Sequence, residues 1–177
     1  FGSKPGIGTT HIAIALASTL TANGYPAVYT ERNGNNHLRS MLQEHPAVKE
    51  QNGICYYKYF RGIPDYGQGI EPPDSGDAIY VKDFGVYQKD IIELGPENFN
   101  LFILSGSPWD LAQTISTGLE LSRLGNTAFI CNYNNQSSAK KLAGKLGCKV
   151  YCFPFDGDAF TCTETKTDLF FHVLSFE

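Results

Sequence analysis

Two periodicities of apolar and polar positions divide the chain into predicted helices and strands. Ile12, Leu16 and Leu20 lie one helical turn apart and Gly24 supplies a stop, so we predict an amphipathic helix over residues 10–23. Short runs rich in β-branched and aromatic residues recur after it, and such runs are typical of strands. The predicted strands are residues 27–31, 54–60, 78–83, 100–105, 128–132 and 149–153.

Further helices are predicted between the strands, at residues 37–41, 87–94, 109–124, 138–146 and 168–174, with a proline- and glycine-rich loop at 62–76. The run at 100–105 is almost continuously apolar, which is typical of a strand covered on both faces. The alternation of strands and helices predicts an α/β fold, a three-layer sandwich with a mostly parallel sheet. A length of 177 residues favours a single domain, 1–177.

Composition narrows the classes of function. A net charge of -4 with only 18% charged residues gives no broad basic surface, so we expect no direct binding to nucleic acid. The cysteines are odd in number and lack a CxxC pair, which favours reduced cysteines in a cytoplasmic protein. The histidines are scattered, so no spacing typical of a zinc site is present. No apolar run is long enough to span a membrane.

Aromatic residues offer two weaker candidates for binding. The run at 56–60 has few basic neighbours, so we expect it to pack in the core and at a sheet edge rather than to stack nucleic-acid bases. Trp109 opens a predicted helix, where it either anchors a partner or packs onto the sheet.

The main candidate for binding is a glycine loop near the start of the chain. Residues 4–10, Lys-Pro-Gly-Ile-Gly-Thr-Thr, lead directly into the first predicted helix. Backbone N–H groups at such a position, aided by the helix dipole, bind anions. The candidate N–H groups belong to Gly6, Ile7, Gly8, Thr9 and Thr10. The alternative is a strand-to-helix turn without a ligand.

This loop resembles the deviant Walker A loop of MinD/ParA-type P-loop ATPases. Lys4 matches the signature lysine of that family, Gly6 and Gly8 match its second and third glycines, and Thr10 matches its magnesium-binding threonine. Three positions depart from the pattern: Pro5 replaces the first glycine, Thr9 the phosphate-binding lysine and His11 the last hydroxyl residue. Such a loop follows a strand, and almost no chain precedes Lys4, so we expect a central strand, and a further domain, upstream of Phe1.

Other landmarks of the family follow in its order along the chain. Glu31 and Asn33 stand where the family has paired aspartates, the second of which is implicated in orienting the attacking water. An amide cannot serve as a base. The run at 79–85 is similar to the Walker B strand, which places Asp83 near a magnesium ion. The alternative for Asp83 is a capping or turn carboxylate after a strand.

The resemblance also supplies candidates for contact with the base of a nucleotide. Asn132 is similar to the asparagine that reads adenine, and Pro154 and Asp156 lie in a stretch similar to the loop that closes over the base. Asn132 equally suits a cap on the turn before Ser137.

Within the superfamily, the runs at 83–85, 106–109 and 153–155 are most similar to the CpaE/TadZ branch, which helps to position secretion or pilus machinery at a cell pole.

The resemblance implies a P-loop NTPase-like domain that binds ATP or ADP with magnesium and forms a homodimer in which Lys4 reaches the partner's phosphates. An ordinary surface lysine is the alternative for Lys4. Without a lysine at Thr9 and a carboxylate at Asn33, we expect little or no hydrolysis and assign no catalytic residue. The expected role is a pseudo-ATPase scaffold in the cytoplasm, brought to a cell pole or membrane periphery through partners. The alternative is an active ATPase in which Lys4 substitutes for the missing lysine.

Overall fold

The computed structural model describes residues 1–64, 70, 76–89, 98–132 and 136–175. Most of the predicted helix at 87–94 and most of the predicted loop at 62–76 lie outside the described residues.

Helices and strands alternate over residues 9–51 and 100–174, whereas the strands between residues 49 and 105 follow one another without a helix among the described residues. The helices are α1 (Thr9–Ala22), α2 (His37–Glu44), α3 (Leu111–Leu121), α4 (Gln136–Leu146) and α5 (Glu164–Leu174), with a 3-10 turn at Pro108–Asp110. The strands are β1 (Ala27–Glu31), β2 (Lys49–Gln51), β3 (Ile54–Tyr57), β4 (Phe60–Ile63), β5 (Ile79–Asp83), β6 (Asn100–Ser105), β7 (Thr127–Asn132) and β8 (Val150–Cys152).

The chain is divided into two compact units. The first unit contains Phe1–Thr9, Gly85–Asp156 and Asp168–Glu177, and the second contains Thr10–Phe84 and Gly157–Thr167. Each unit has its own sheet, and each is described separately below.

The sheet of the second unit is mixed, with the strand order β2-β3-β4-β1-β5. β1 pairs in parallel with β4 and β5, whereas β2, β3 and β4 form an antiparallel meander. The prediction of one strand at 54–60 is wrong, because the chain reverses at Lys58, whose φ is 51°, and forms the two strands β3 and β4. β2 is absent from the sequence-based prediction.

The first unit contains the parallel sheet β6-β7-β8. Phe1 to Ser3 run beside β6 as a short strand-like segment, in which Gly2 pairs in parallel with both Val86 and Ile103. The packing is close on the helical side, since a Cβ added at Gly118 of α3 would lie 2.8 Å from Leu146 of α4. The opening segment, β6, β7 and β8 run in the same direction, so their carboxyl ends share one edge of this sheet.

The aromatic run at 56–60 packs as predicted for most of its members. Phe60 is fully buried against Tyr29 and Phe160, and Tyr57 contacts His45 and Phe160. Trp109 does not pack onto a sheet, because its side chain is 81% exposed.

Candidate functional site

The glycine loop leaves the carboxyl end of the opening segment in the first unit. Gly6 and Gly8 have φ angles of 72° and 87°, in the left-handed region that favours glycine. Among the described residues, the backbone N–H groups of Gly6 and Gly8 donate no hydrogen bond to the backbone of the chain. Successive N–H groups around left-handed glycines form a concave site for an anion. The loop therefore has the backbone conformation that phosphate binding requires.

Asn132 anchors this loop through a side-chain hydrogen bond. It is the last residue of β7 and is 3% exposed, and its Nδ2 donates a hydrogen bond of 2.7 Å to the carbonyl oxygen of Ile7. Ile7 is equally buried, so the bond is shielded from water. The turn that Asn132 was alternatively expected to cap includes residues 133–135, which lie outside the described residues. Its role in reading adenine stays a prediction.

Lys4 is engaged within its own chain. Its Nζ lies 2.5 Å from Oδ2 of Asp110, in the turn that follows β6. The Asp110 carboxylate also accepts a 2.8 Å hydrogen bond from Oγ of Ser105. The backbone N–H of Ser105 in turn donates to Oγ of Ser3, which immediately precedes Lys4. This network joins the start of the loop to the carboxyl end of β6.

The pKa of the Asp110 carboxyl is held below its usual value, first by the hydrogen bond from Lys4 and further by that from Ser105. Asp110 is therefore ionised at neutral pH, and Lys4 faces a full negative charge. The side chain of Lys4 is 31% exposed and paired within its own chain, and its contact with phosphate stays a prediction beside the alternative of a surface lysine.

The residues predicted to lie near the base are at the same sheet edge. Phe153 donates a backbone hydrogen bond to the carbonyl of Cys131, so the chain after β8 begins beside Asn132. Pro154 and Asp156 are half-buried there. Phe155 between them is 93% exposed. The structure thus brings Pro154 and Asp156 to the edge that carries Asn132, and their contact with a base stays a prediction.

In the second unit, the predicted landmarks Thr10, Asn33 and Asp83 meet in one hydrogen-bonded cluster. Oδ2 of Asp83 accepts hydrogen bonds from Oγ1 of Thr10 at 2.6 Å, from Nδ2 of Asn33 at 2.7 Å and from the hydroxyl of Tyr29 at 2.9 Å. Asp83 is the last residue of β5 and is only 1% exposed. It is therefore neither an exposed turn carboxylate nor a helix cap.

Tyr29 is protonated in this cluster and donates to Asp83. Burial raises the pKa of its phenol far above the usual value, and the negative charges of Asp83 and Glu31 raise it further. Tyr29 was not among the candidates predicted from the sequence, because a tyrosine within a strand is normally explained by packing. The available signal was its place two residues before Glu31, which puts the two side chains on one face of β1.

Glu31 has a structural role at the start of α2. Its two carboxylate oxygens accept hydrogen bonds from the backbone N–H groups of His37 at 2.7 Å and Leu38 at 3.1 Å. These N–H groups are unpaired within any helix at its first turn, and a carboxylate there is also favoured by the helix dipole. The Glu31 carboxylate is thus engaged at the start of α2, and its side chain is 3% exposed.

Thr10 and Asp83 are the predicted magnesium ligands, and one oxygen of Asp83, Oδ2, is poorly suited to direct coordination. Magnesium requires near-ideal octahedral oxygen geometry, and a carboxylate oxygen offers about two lone pairs. Oδ2 of Asp83 already accepts three hydrogen bonds, one of them from Thr10 itself. Across the ranges that the structure describes, no group of three His, Cys, Asp or Glu side chains is placed to hold a metal ion. The magnesium role of this pair stays a prediction.

Comparison with solved structures shows which known fold the chain shares. The chain is similar to the MinD cell division protein of Aquifex aeolicus, with a TM-score of 0.66 and 12% identity over 98% of this chain and 93% of that one. It is also similar to a chain of the MinC:MinD cell division protein complex of Aquifex aeolicus, with a TM-score of 0.58 and 12% identity over 98% and 92% of the two chains. No protein-family model and no curated protein sequence matches the chain. The chain therefore has a MinD-like α/β fold, as predicted.

Within the described residues, no helix combines the length and the apolar composition needed to cross a membrane.

Proposed function

We propose that this chain is a degenerate ParA/MinD-like nucleotide-binding domain whose loop, from Lys4 to Thr9, holds the phosphates of ATP or ADP. The observation that carries the proposal is the pair of glycines with positive φ, Gly6 and Gly8, whose backbone N–H groups donate no hydrogen bond to the backbone of the chain. Unpaired N–H groups are costly unless water or a ligand accepts from them. A polyphosphate supplies several strong acceptors at once.

The domain binds nucleotide with little or no hydrolysis. Thr9 stands where the related ATPases have a lysine, and Asn33 stands where they have a carboxylate that orients water. A missing cation weakens ground-state binding by one charge-assisted contact, about 1.5–3 kcal/mol. It weakens the transition state far more, since charge grows there on the transferred phosphoryl group. Binding with little or no hydrolysis follows, which is the behaviour of a pseudo-ATPase.

Restoring the missing cation is a direct test of the loop. Thr9→Lys should tighten ATP and ADP affinity about ten- to a hundredfold, measured by calorimetric titration. Thr9→Met adds a side chain of similar length without charge and should leave the affinity close to that of the unmodified protein. Equal affinities for the two variants, or no binding by any of the three proteins at millimolar nucleotide, would exclude the proposal.

A second candidate function is an active ATPase in which Lys4 replaces the missing lysine. Lys4 is favoured for this role because it is the cation that the loop itself carries, and its side chain remains 31% exposed. Its ion pair with Asp110 must break before Nζ can reach a phosphate. The two candidates separate in a turnover assay, because magnesium-dependent phosphate release that Lys4→Ala abolishes would establish the second.

The scaffold role includes self-association and positioning of partners. We propose that two copies pair with nucleotide between them, with Lys4 reaching the partner's phosphates, and that the pair positions a secretion or pilus assembly at a cell pole in the manner of the CpaE/TadZ branch. Light scattering of the protein with ATP, ADP or no nucleotide tests the pairing. A dimer that forms only with nucleotide and is lost in Lys4→Ala supports it, and a monomer under all conditions contradicts it.

A further inference from the structure

The amide of Asn33 is locked in one orientation. Its Oδ1 accepts a 2.9 Å hydrogen bond from the backbone N–H of Asn35. Its Nδ2 therefore points the other way, donating to Oδ2 of Asp83 at 2.7 Å and approaching Oγ1 of Thr10 at 3.4 Å. The assignment of oxygen and nitrogen follows from these partners, since a reversed amide would face one N–H donor with another and one oxygen with another.

This amide occupies a place where a carboxylate would need a cation. An aspartate at position 33 with the same conformation would bring a second negative oxygen against Asp83, which is 1% exposed. Two carboxylates in contact do not both stay ionised unless a proton or a cation lies between them. The N–H of Asn33 removes this requirement because it supplies a partial positive charge without a metal.

Two further neutral donors bond to the same oxygen of Asp83. Tyr29 and Thr10 donate to the same Oδ2, and Glu31, the other carboxylate that acts on Tyr29, is committed to the backbone of α2. The single charge of Asp83 is therefore balanced by three neutral donors. Buried charges of this kind are stable when their hydrogen bonds are satisfied.

We infer that Asn33 substitutes for a divalent cation, so that the Thr10–Asn33–Asp83 cluster keeps its structure without metal and does not bind one. The same inference holds that Asn33→Asp converts the cluster into a divalent-cation site made of two carboxylates and the Thr10 hydroxyl. It concerns the nucleotide-free protein and therefore stands or fails separately from the proposed function.

Thermal unfolding of the full chain without nucleotide tests the inference, with chelator or with millimolar Mg²⁺ or Mn²⁺ at neutral pH. The unmodified protein should have the same Tm in all three conditions. Asn33→Asp should lower the Tm in chelator by several degrees more than Asn33→Ala does, because it adds repulsion as well as removing a donor. The cations should then restore the Tm of Asn33→Asp and leave that of Asn33→Ala unchanged.

Two results would overturn the inference: a cation-dependent rise in Tm for the unmodified protein that Asp83→Asn abolishes, or no cation response in a folded Asn33→Asp variant. If Asn33→Asp fails to fold in chelator, its refolding on addition of Mn²⁺ is the supporting result and failure to refold the opposing one. A Mn²⁺ titration of the unmodified protein, followed by electron paramagnetic resonance, gives an independent reading. Saturable binding that is lost in Asp83→Asn contradicts the inference, and absence of saturable binding supports it.

Discussion

At the level of single residues, the buried carboxylate of Asp83 depends most on its hydrogen-bond donors. Thr10, Tyr29 and Asn33 all donate to the same oxygen of this carboxylate and so stabilise its charge. A buried charge that loses a donor keeps its desolvation cost and loses the hydrogen bond that offset it. Substitutions at these three positions should therefore affect stability more than their small changes in volume suggest.

Tyr29→Phe tests this directly, because it removes a hydroxyl and leaves the ring. We expect the free energy of unfolding to fall by about 1.5–3 kcal/mol, the usual cost of a hydrogen bond to a charged group. Chemical denaturation measures the change. Tyr59→Phe is the matched control, since Tyr59 is 56% exposed and should tolerate the same deletion. Equal effects of the two substitutions would show that the donor to Asp83 does not matter.

Asp158 gives the second unit a predictable response to acid. Partial burial would raise the pKa of its carboxyl, but hydrogen bonds from Lys58, Thr161 and the Phe160 backbone outweigh burial and lower the pKa to about 2. Because the folded-state pKa lies below the ordinary value of 3.8, this stabilisation is present above about pH 4 and is lost as the pH falls towards 2.

Asp158→Asn should therefore lower the Tm at neutral pH, and the difference from the unmodified protein should close as the pH approaches 2. The effect should be small, because the Lys58–Asp158 pair is close to half exposed and is screened by solvent. A melting series across pH measures it. A Tm difference that is independent of pH would assign the loss to packing rather than to ionisation.

At the scale of elements, the glycine loop depends on the space beside the opening segment. A Cβ added at Gly2 would overlap Oγ1 of Thr9 and would lie 2.7 Å from Cγ2 of Ile7. Gly2→Ala should therefore displace the loop, lower the Tm and weaken nucleotide binding by tenfold or more. Gly76→Ala is the control, because nothing lies within 4 Å of its added Cβ. Unchanged binding in Gly2→Ala would mean that the loop's position is not what binds phosphate.

Element boundaries were predictable where one local pattern dominated. β1 and β6 match the predicted ranges because both are nearly continuous buried runs. The antiparallel meander was predicted less well. Asn52 and Gly53, with φ of 53° and 77°, form a hairpin turn that an Asn-Gly pair signals, and this signal was overlooked. The turn at Lys58 had no such signal, because no glycine marks its positive φ.

The candidate site was predictable only in part. Gly6 and Gly8 take the left-handed conformations that the glycine pattern requires, and Thr10 meets Asp83 as landmark order suggested. The tether from Asn132 to Ile7 and the ion pair of Lys4 with Asp110 join residues far apart in the chain. Such partners depend on which strands lie side by side, and a single sequence does not determine that order.

For the molecule as a whole, the fold is similar to that of MinD, whereas the side chains around Asp83 differ from the MinD/ParA pattern. The chain keeps a MinD-like fold along 98% of its length at 12% identity. Its described side chains nevertheless supply hydrogen-bond donors to Asp83 where the family's pattern implies a cation and a water-orienting carboxylate. The proposed pseudo-ATPase, a nucleotide-binding domain with little or no hydrolysis, would account for both.

The most direct test follows the fate of bound ATP in one experiment with protein in excess. Terminally labelled ATP is mixed with the full chain, and protein-bound label and released phosphate are counted over hours. We predict that the label stays bound as ATP, with phosphate release no faster than in buffer. Label that never associates with the protein would contradict nucleotide binding, and rapid phosphate release that Lys4→Ala abolishes would show an active ATPase instead.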